Sequence, residues 1–308
     1  MKRFLVIALA AASVGFIAVG SASAAPVDTY NAGDPANGIG NSRHNLGNLG
    51  AHVTMMANTA TSGMNGTSEI CVFCHTPHHS NTSLTNVPIW NRINSTAASY
   101  VAYGATLGGS TVGAPGSTTL ACLSCHDGVT TFDNLANRPG KGTGNMAGSL
   151  IWEVSSTTGI GGVVSGVMTS SRLNIGVNLS NDHPVSVAYG TDGRASLRAT
   201  STVISAVDVA AGLAASASSF DGGNLTKNLW AVKGYVNASA TIGDLLRGGN
   251  VECSSCHDPH FNNKSYNEVD STYTAAQVTD TEDESNGLFL RRVGGNSGSG
   301  LCRTCHNK

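Results

Sequence analysis

Four short runs constrain this chain more than any other feature: Cys71-Val72-Phe73-Cys74-His75, Cys122-Leu123-Ser124-Cys125-His126, Cys253-Ser254-Ser255-Cys256-His257 and Cys302-Arg303-Thr304-Cys305-His306. They use all eight cysteines of the 308 residues, and every pair is followed at once by histidine. With 10 His in the chain, a His after all four pairs arises by chance with a probability of roughly 10⁻⁶. Any fold this chain adopts must bring two thiols and an imidazole together four times.

C-x-x-C-H is the attachment signature of c-type haem, in which two thiols add to the porphyrin vinyl groups and the adjacent imidazole ligates iron. Two intervening residues let one backbone turn span the two attachment points. The expected cofactors are four haem c groups, covalently held by Cys71, Cys74, Cys122, Cys125, Cys253, Cys256, Cys302 and Cys305, with His75, His126, His257 and His306 as proximal iron ligands. Zinc sites of four thiolates explain no His after each pair, and the pairs stand farther apart than the usual 15–20 residues. Disulfides also leave the histidines unexplained.

Six further histidines can supply the second axial positions: His44, His52, His78, His79, His183 and His260. Neutral imidazole is a common haem ligand, whereas the methionines lie in ordinary Ala/Gly/Ser/Thr contexts. His78 and His260 each stand three residues after a proximal His, in the shared pattern C-x-x-C-H-x-P-H. That spacer extends at most about 10 Å, too little to approach the opposite face of a ring tied to the same segment. Each is therefore expected to reach a different haem, with Pro77 or Pro259 stiffening the spacer. His44, His78, His183 and His260 are the expected distal ligands, with His52 and His79 in reserve.

The motifs also repeat. The first two start 51 residues apart and the last two 49 apart, each half opens with C-x-x-C-H-x-P-H, and an isolated His (His44, His183) precedes each half. The expected organisation is a signal peptide over 1–24, an N-terminal dihaem half over 25–145, a Cys-free connection carrying His183 over 146–250, and a C-terminal dihaem half over 251–308. The expected fold is mostly loop and coil with few short helices and minor β structure, organised by haem. Gly162–Val167 and Val185–Tyr189 read as β-prone, Ser201–Ala215 as one helix, and Gly294–Gly300 as a flexible loop. Sequons at Asn65, Asn94, Asn178, Asn224, Asn237 and Asn263 are mostly compositional.

Lys2 and Arg3, the apolar run Phe4 to Gly20 and the small residues Ala22-Ser23-Ala24 predict export with cleavage after Ala24. No later run reaches spanning length, so no stable membrane span is expected in the mature chain. Only 12% of residues are charged and the formal net charge is −2. That leaves no basic footprint for nucleic acid.

Asn41–Gly47, Cys71–His78 followed by Val87–Arg92, Cys122–Gly128, Asp182–Ser186, Cys253–His260 and Cys302–Lys308 together resemble the multihaem cytochromes that polymerise into extracellular filaments (cytochrome nanowires), most closely the tetrahaem outer-membrane cytochrome E type. The resemblance covers most of the mature chain, loosely between motifs. It implies bis-His haems in a continuous stack and a secreted, extracellular or cell-surface location. It also implies head-to-tail polymers of the chain, in which His78 coordinates a haem of the neighbouring subunit.

The expected function is electron transfer with no substrate turned over. A soluble periplasmic tetrahaem shuttle is the alternative, and a multihaem reductase subunit the second. A reductase needs an iron with an open position, and six spare histidines argue against one.

Overall fold

Each C-x-x-C-H motif occupies a turn of helix, which brings residues i and i+3 to the same side of the backbone. The computed structural model describes residues 28–29, 39, 44, 46, 55–57, 69–103, 112–132, 134–137, 152–154, 163–164, 167–169, 173–183, 185–190, 196–212, 228–232, 235–260, 289–293 and 295–307. The expected leader 1–24, His52 and the sequons at Asn65, Asn224 and Asn263 lie outside these residues. Cys71–Phe73 form a 3-10 turn. The α-helices are α1 (Ser117–His126), α2 (Ile242–Leu245), α3 (Cys253–Cys256) and α4 (Gly300–Cys305), so α1, α3 and α4 carry the second, third and fourth motifs.

Helix α1 shows why its motif faces outward. Thr119, Leu120, Leu123 and Ser124 form a buried stripe at helical spacing. Leu120 and Leu123 pack among Leu84, Trp90, Tyr100, Leu179 and Val185. Cys122, Cys125 and His126 are left half-buried. The helix stops where the Asp127 carboxylate accepts the N–H groups of Val129 and Thr130 and the hydroxyls of Tyr100 and Thr130.

The strands are two or three residues long and pair antiparallel. Tyr235–Val236 sits between Asp28–Thr29 and Ala231–Val232, Met55–Ala57 pairs with Trp152–Val154, and Val187–Ala188 pairs with Asn250–Val251. The last pairing positions function: Val187 opposite Val251 brings the segment carrying His183 against the start of the third motif.

Among the described residues, three apolar clusters are each lined by motif cysteines. Leu46, Phe73, Phe132 and Met168 pack with Cys74 and Cys125. The α1 cluster meets Cys74 and Cys253. Ile204, Trp230, Val232, Ala240, Ile242 and Leu245 pack with Cys305.

The two expected halves interlock. Buried Glu252, at the N-cap of α3, accepts the hydroxyl of Thr119 in α1 and that of Ser186 at 3.1 Å. Thr119 Oγ1 in turn accepts the Cys253 N–H at 3.2 Å.

The repeat seen in the motifs extends to the backbone around them. His75 bridges Trp90 as His257 bridges Leu290. The carbonyl of Cys74 accepts the Asn91 N–H at 2.8 Å, as that of Cys256 accepts the Arg291 N–H at 2.8 Å. Thr76 N–H donates to Ile89 as Asp258 N–H donates to Phe289, and Ile89 and Phe289 both have positive φ, 45° and 55°. The following arginines, Arg92 and Arg292, are both fully buried.

Two local expectations need correction. Ser201–Ala215 is not one helix within its described part, 201–212: only Ile204–Ala206 forms a 3-10 turn. Packing overrides the alanines here, because Ile204, Val207 and Val209 are all buried and the Asp208 carboxylate accepts the Ala210 N–H at 2.9 Å. The stretch Gly162–Val167 is β as expected, with Val163–Val164 paired antiparallel to Val167–Met168. The Gly294–Gly300 loop carries ordered structure in its described residues. Arg292 Nη1 donates to the Gly295 carbonyl at 2.8 Å, and Gly300 opens α4. The sequon Asn94 has its amide engaged, accepting from Trp90 Nε1 and donating to the Leu120 carbonyl, each at 2.7 Å.

Candidate metal centres

Three of the four motif histidines face a second histidine from a distant part of the chain. His75 and His260 have ring centroids 6.1 Å apart with planes inclined by 18°. His183 and His257 are 6.1 Å apart at 24°, and His44 and His126 are 6.3 Å apart at 56°. Two imidazole nitrogens bound to opposite sides of one metal, each at roughly 2.0–2.1 Å, place the ring centroids about 6 Å apart. Each pair joins one expected proximal and one expected distal ligand, and no histidine is used twice. The residues fit a bis-histidine metal three times over.

The elements explain how the pairs meet. His260 arrives from the turn after α3 and faces the first motif. His183 is carried by the Val187–Val251 pairing to the third motif. His44 closes on the end of α1 and meets the Phe289 ring edge-on at 4.3 Å.

Hydrogen bonds set the tautomers. The Nδ1 of His75 lies 2.9 Å from the Pro88 carbonyl and that of His126 lies 2.8 Å from the Leu173 carbonyl. A carbonyl only accepts, so Nδ1 carries the proton and Nε2 keeps its lone pair for a metal. His260 Nδ1 donates instead to Asp258, 2.9 Å away. Burial lowers the pKa of His44 to about 3 and also depresses His75 and His126, which keeps these rings neutral, the form that ligates. At Asp258 burial opposes ionisation, but the His260 hydrogen bond and the Arg291 guanidinium outweigh it and hold the carboxyl well below its usual range.

None of the eight cysteines is in a disulfide. Burial raises the thiols of Cys74 and Cys256 to about 12 and that of Cys305 to about 11. Neighbouring motifs lie close enough for their thiols to interact: Cys74 with Cys125, Cys122 with Cys253, and Cys256 with Cys305. The first and third motifs also meet, since Cys74 and Cys253 border the same apolar cluster. A cavity of ≈ 410 Å³ opens beside Cys71 and His75, lined also by Glu69, Ile70, Val72 and Pro77. Among the described residues, no three His, Cys, Asp or Glu side chains converge on a single metal position.

The remaining expected ligands lie elsewhere. His306 is exposed and its backbone bridges Leu197. His78 and His79 are exposed on the turn after the first motif, where the His78 carbonyl accepts the Thr76 hydroxyl at 2.9 Å and His79 has a left-handed φ of 53°.

Sequence reasoning missed the buried charges around the motifs. Arg92 directs its guanidinium at Ser124 Oγ and at the carbonyls of Ser124, Thr131 and Phe132, between 2.7 and 2.9 Å, locking the first motif's return strand to the second motif. Asp258, Arg291 and Glu252 serve the third. The available signal was the placement of arginines soon after each C-x-x-C-H-x-P-H in a chain with few charges.

No known family model and no curated protein matches the chain.

Proposed function

We propose that this chain is a tetrahaem c-type cytochrome that transfers electrons. The observation that carries the reading is the set of three histidine pairs at 6.1–6.3 Å, each joining a C-x-x-C-H imidazole to a distant one. The eight motif cysteines would hold the porphyrins. His75 with His260, His126 with His44 and His257 with His183 would supply both axial ligands at three irons, and His306 one ligand at the fourth.

When bound, each haem supplies an Fe(III)/Fe(II) couple. The protein's part is to orient the ligands through Nδ1 hydrogen bonds, to keep them neutral and to fix the spacing between motifs. Two protein ligands at three of the sites leave no position there for a substrate, and His78 of a neighbouring copy would close the fourth, which favours electron transfer over a reductase. The closeness of the motifs to one another favours a relay between them.

Within this reading, the chain is a subunit of an extracellular filament, exported after loss of residues 1–24, with His78 reaching the neighbouring subunit. The resemblance stated above and the exposure of His78 support this over a periplasmic shuttle.

The first test is chemical. Protein exported from a host competent for c-type haem attachment is expected to carry four haems per chain by pyridine haemochrome assay, with low-spin spectra in both redox states. Fewer than four haems, or a dominant high-spin spectrum, overturns the reading.

A further inference from the structure

The ligand pairs differ in what receives their Nδ1 protons. His75 and His126 donate to the neutral carbonyls of Pro88 and Leu173. His260 donates to Asp258 Oδ1 at 2.9 Å, and the same oxygen accepts the His260 backbone N–H at 3.0 Å. The other carboxylate oxygen meets Arg291 Nη1 at 2.9 Å. Arg291 is itself fixed to the third motif, through Nε to the Ser254 carbonyl at 2.8 Å and through its backbone N–H to the Cys256 carbonyl at 2.8 Å. Asp258 and Arg291 are both buried.

The structural repeat supplies an internal control. The residue equivalent to Asp258 is Thr76, which keeps the same backbone hydrogen bond with a neutral side chain. A carboxylate is therefore not required to build this unit, and its presence in the second copy has another use. A carboxylate that accepts an imidazole N–H draws the proton toward itself and makes the opposite nitrogen a stronger donor. A stronger donor, with a negative charge nearby, favours ferric over ferrous iron, and such hydrogen bonds are among the levers that set a haem potential.

We propose that Asp258 is a positioning residue that lowers the reduction potential of the centre His260 forms with His75. The proposal rests on the bis-histidine reading above. It biases the centre at the first motif toward the ferric state relative to the same site with a neutral partner, so that the potential of one centre is set by a single carboxylate.

The test uses the full haem-loaded protein. In Asp258→Asn, a spectroelectrochemical titration is expected to show one of the four midpoint potentials shifted upward and three unchanged, with the low-spin EPR signal of one centre moved. Asp258→Glu is expected to return both toward the parent values. Four unchanged potentials in an Asp258→Asn protein that retains four haems overturn the proposal and leave the bis-histidine reading standing. If Asp258→Asn does not load haem, Arg291→Gln decides: freeing the carboxylate from its guanidinium should lower the same potential, and an unchanged potential overturns the proposal. Failure of the underlying reading shows itself earlier, as missing haem or a high-spin spectrum in the parent protein.

Discussion

An imidazole ligates a metal only when it is neutral and its one proton sits on the other nitrogen. At His75 and His126 both conditions are met by a backbone carbonyl and by burial. At His44 burial dominates. On the proposed reading, His44→Ala should leave the haem of the second motif attached, since both thiols remain, but open one axial position. The expected result is one carbon monoxide-reactive haem in four on reduction, against none in the parent, read from the difference spectrum. An unreactive variant would remove His44 from the ligand set. The residues of this site were unevenly legible. The motif histidines stood out because covalent attachment imposes a fixed local spacing. The limit on His260 followed from chain length alone, and the structure accordingly sets it against a different motif. Asp258 and Glu252 were invisible, because a carboxylate beside a motif acquires meaning only from partners distant in sequence, such as Arg291 and Thr119.

At the scale of elements, helical turns form where the motifs are, and buried arginines place them. Arg92 grips α1 through Ser124, and in the second copy Arg292 reaches α4 through Asn228, which accepts from Arg292 Nε at 3.1 Å and bonds Thr304 at 2.9 Å. Gly300 is small for this reason. A Cβ on it would lie 2.6 Å from Arg292 Nε and 2.7 Å from Nη2, and Arg292 is fully buried with no room to retreat. Gly300→Ala should therefore cost about 1–3 kcal/mol, the usual range for overpacking a filled interior. A lowered Tm of the haem-loaded protein would show it, and an unchanged Tm would mean that α4 shifts freely. Ala at a helix start is otherwise favourable, so propensity predicts the opposite sign. The same conflict undid the helix expected over Ser201–Ala215, where alanine content pointed one way and the burial of Val207 and Val209 won. Short strands such as Val187–Ala188 were foreseen only as β-prone, because their partners, here Asn250–Val251, are set by the motif they lead into.

At the scale of the molecule, the two halves of the sequence repeat are in contact with each other. The second and third motifs meet directly through Cys122 and Cys253, and His260 and His44 cross between segments to face motifs far from their own. On the proposed reading, such interlocking suits a relay whose spacing must not vary. It also leaves His78 distinctive. In the repeat His78 corresponds to His260, yet His260 is half-buried against His75 and His78 is exposed. If the proposed filament is correct, the position that His260 fills within one chain is filled by His78 between chains. A contact repeated head to tail without closing gives a linear polymer, and a chain with 12% charged residues offers little repulsion against it. His78→Ala should then leave four haems attached and the thermal stability of the single chain within about 0.5 kcal/mol of the parent, as for other exposed positions, while abolishing assembly. Electron microscopy and sedimentation of the secreted protein read the outcome: filaments in the parent with only single chains in the variant support the bridge, and filaments in both place the contact elsewhere.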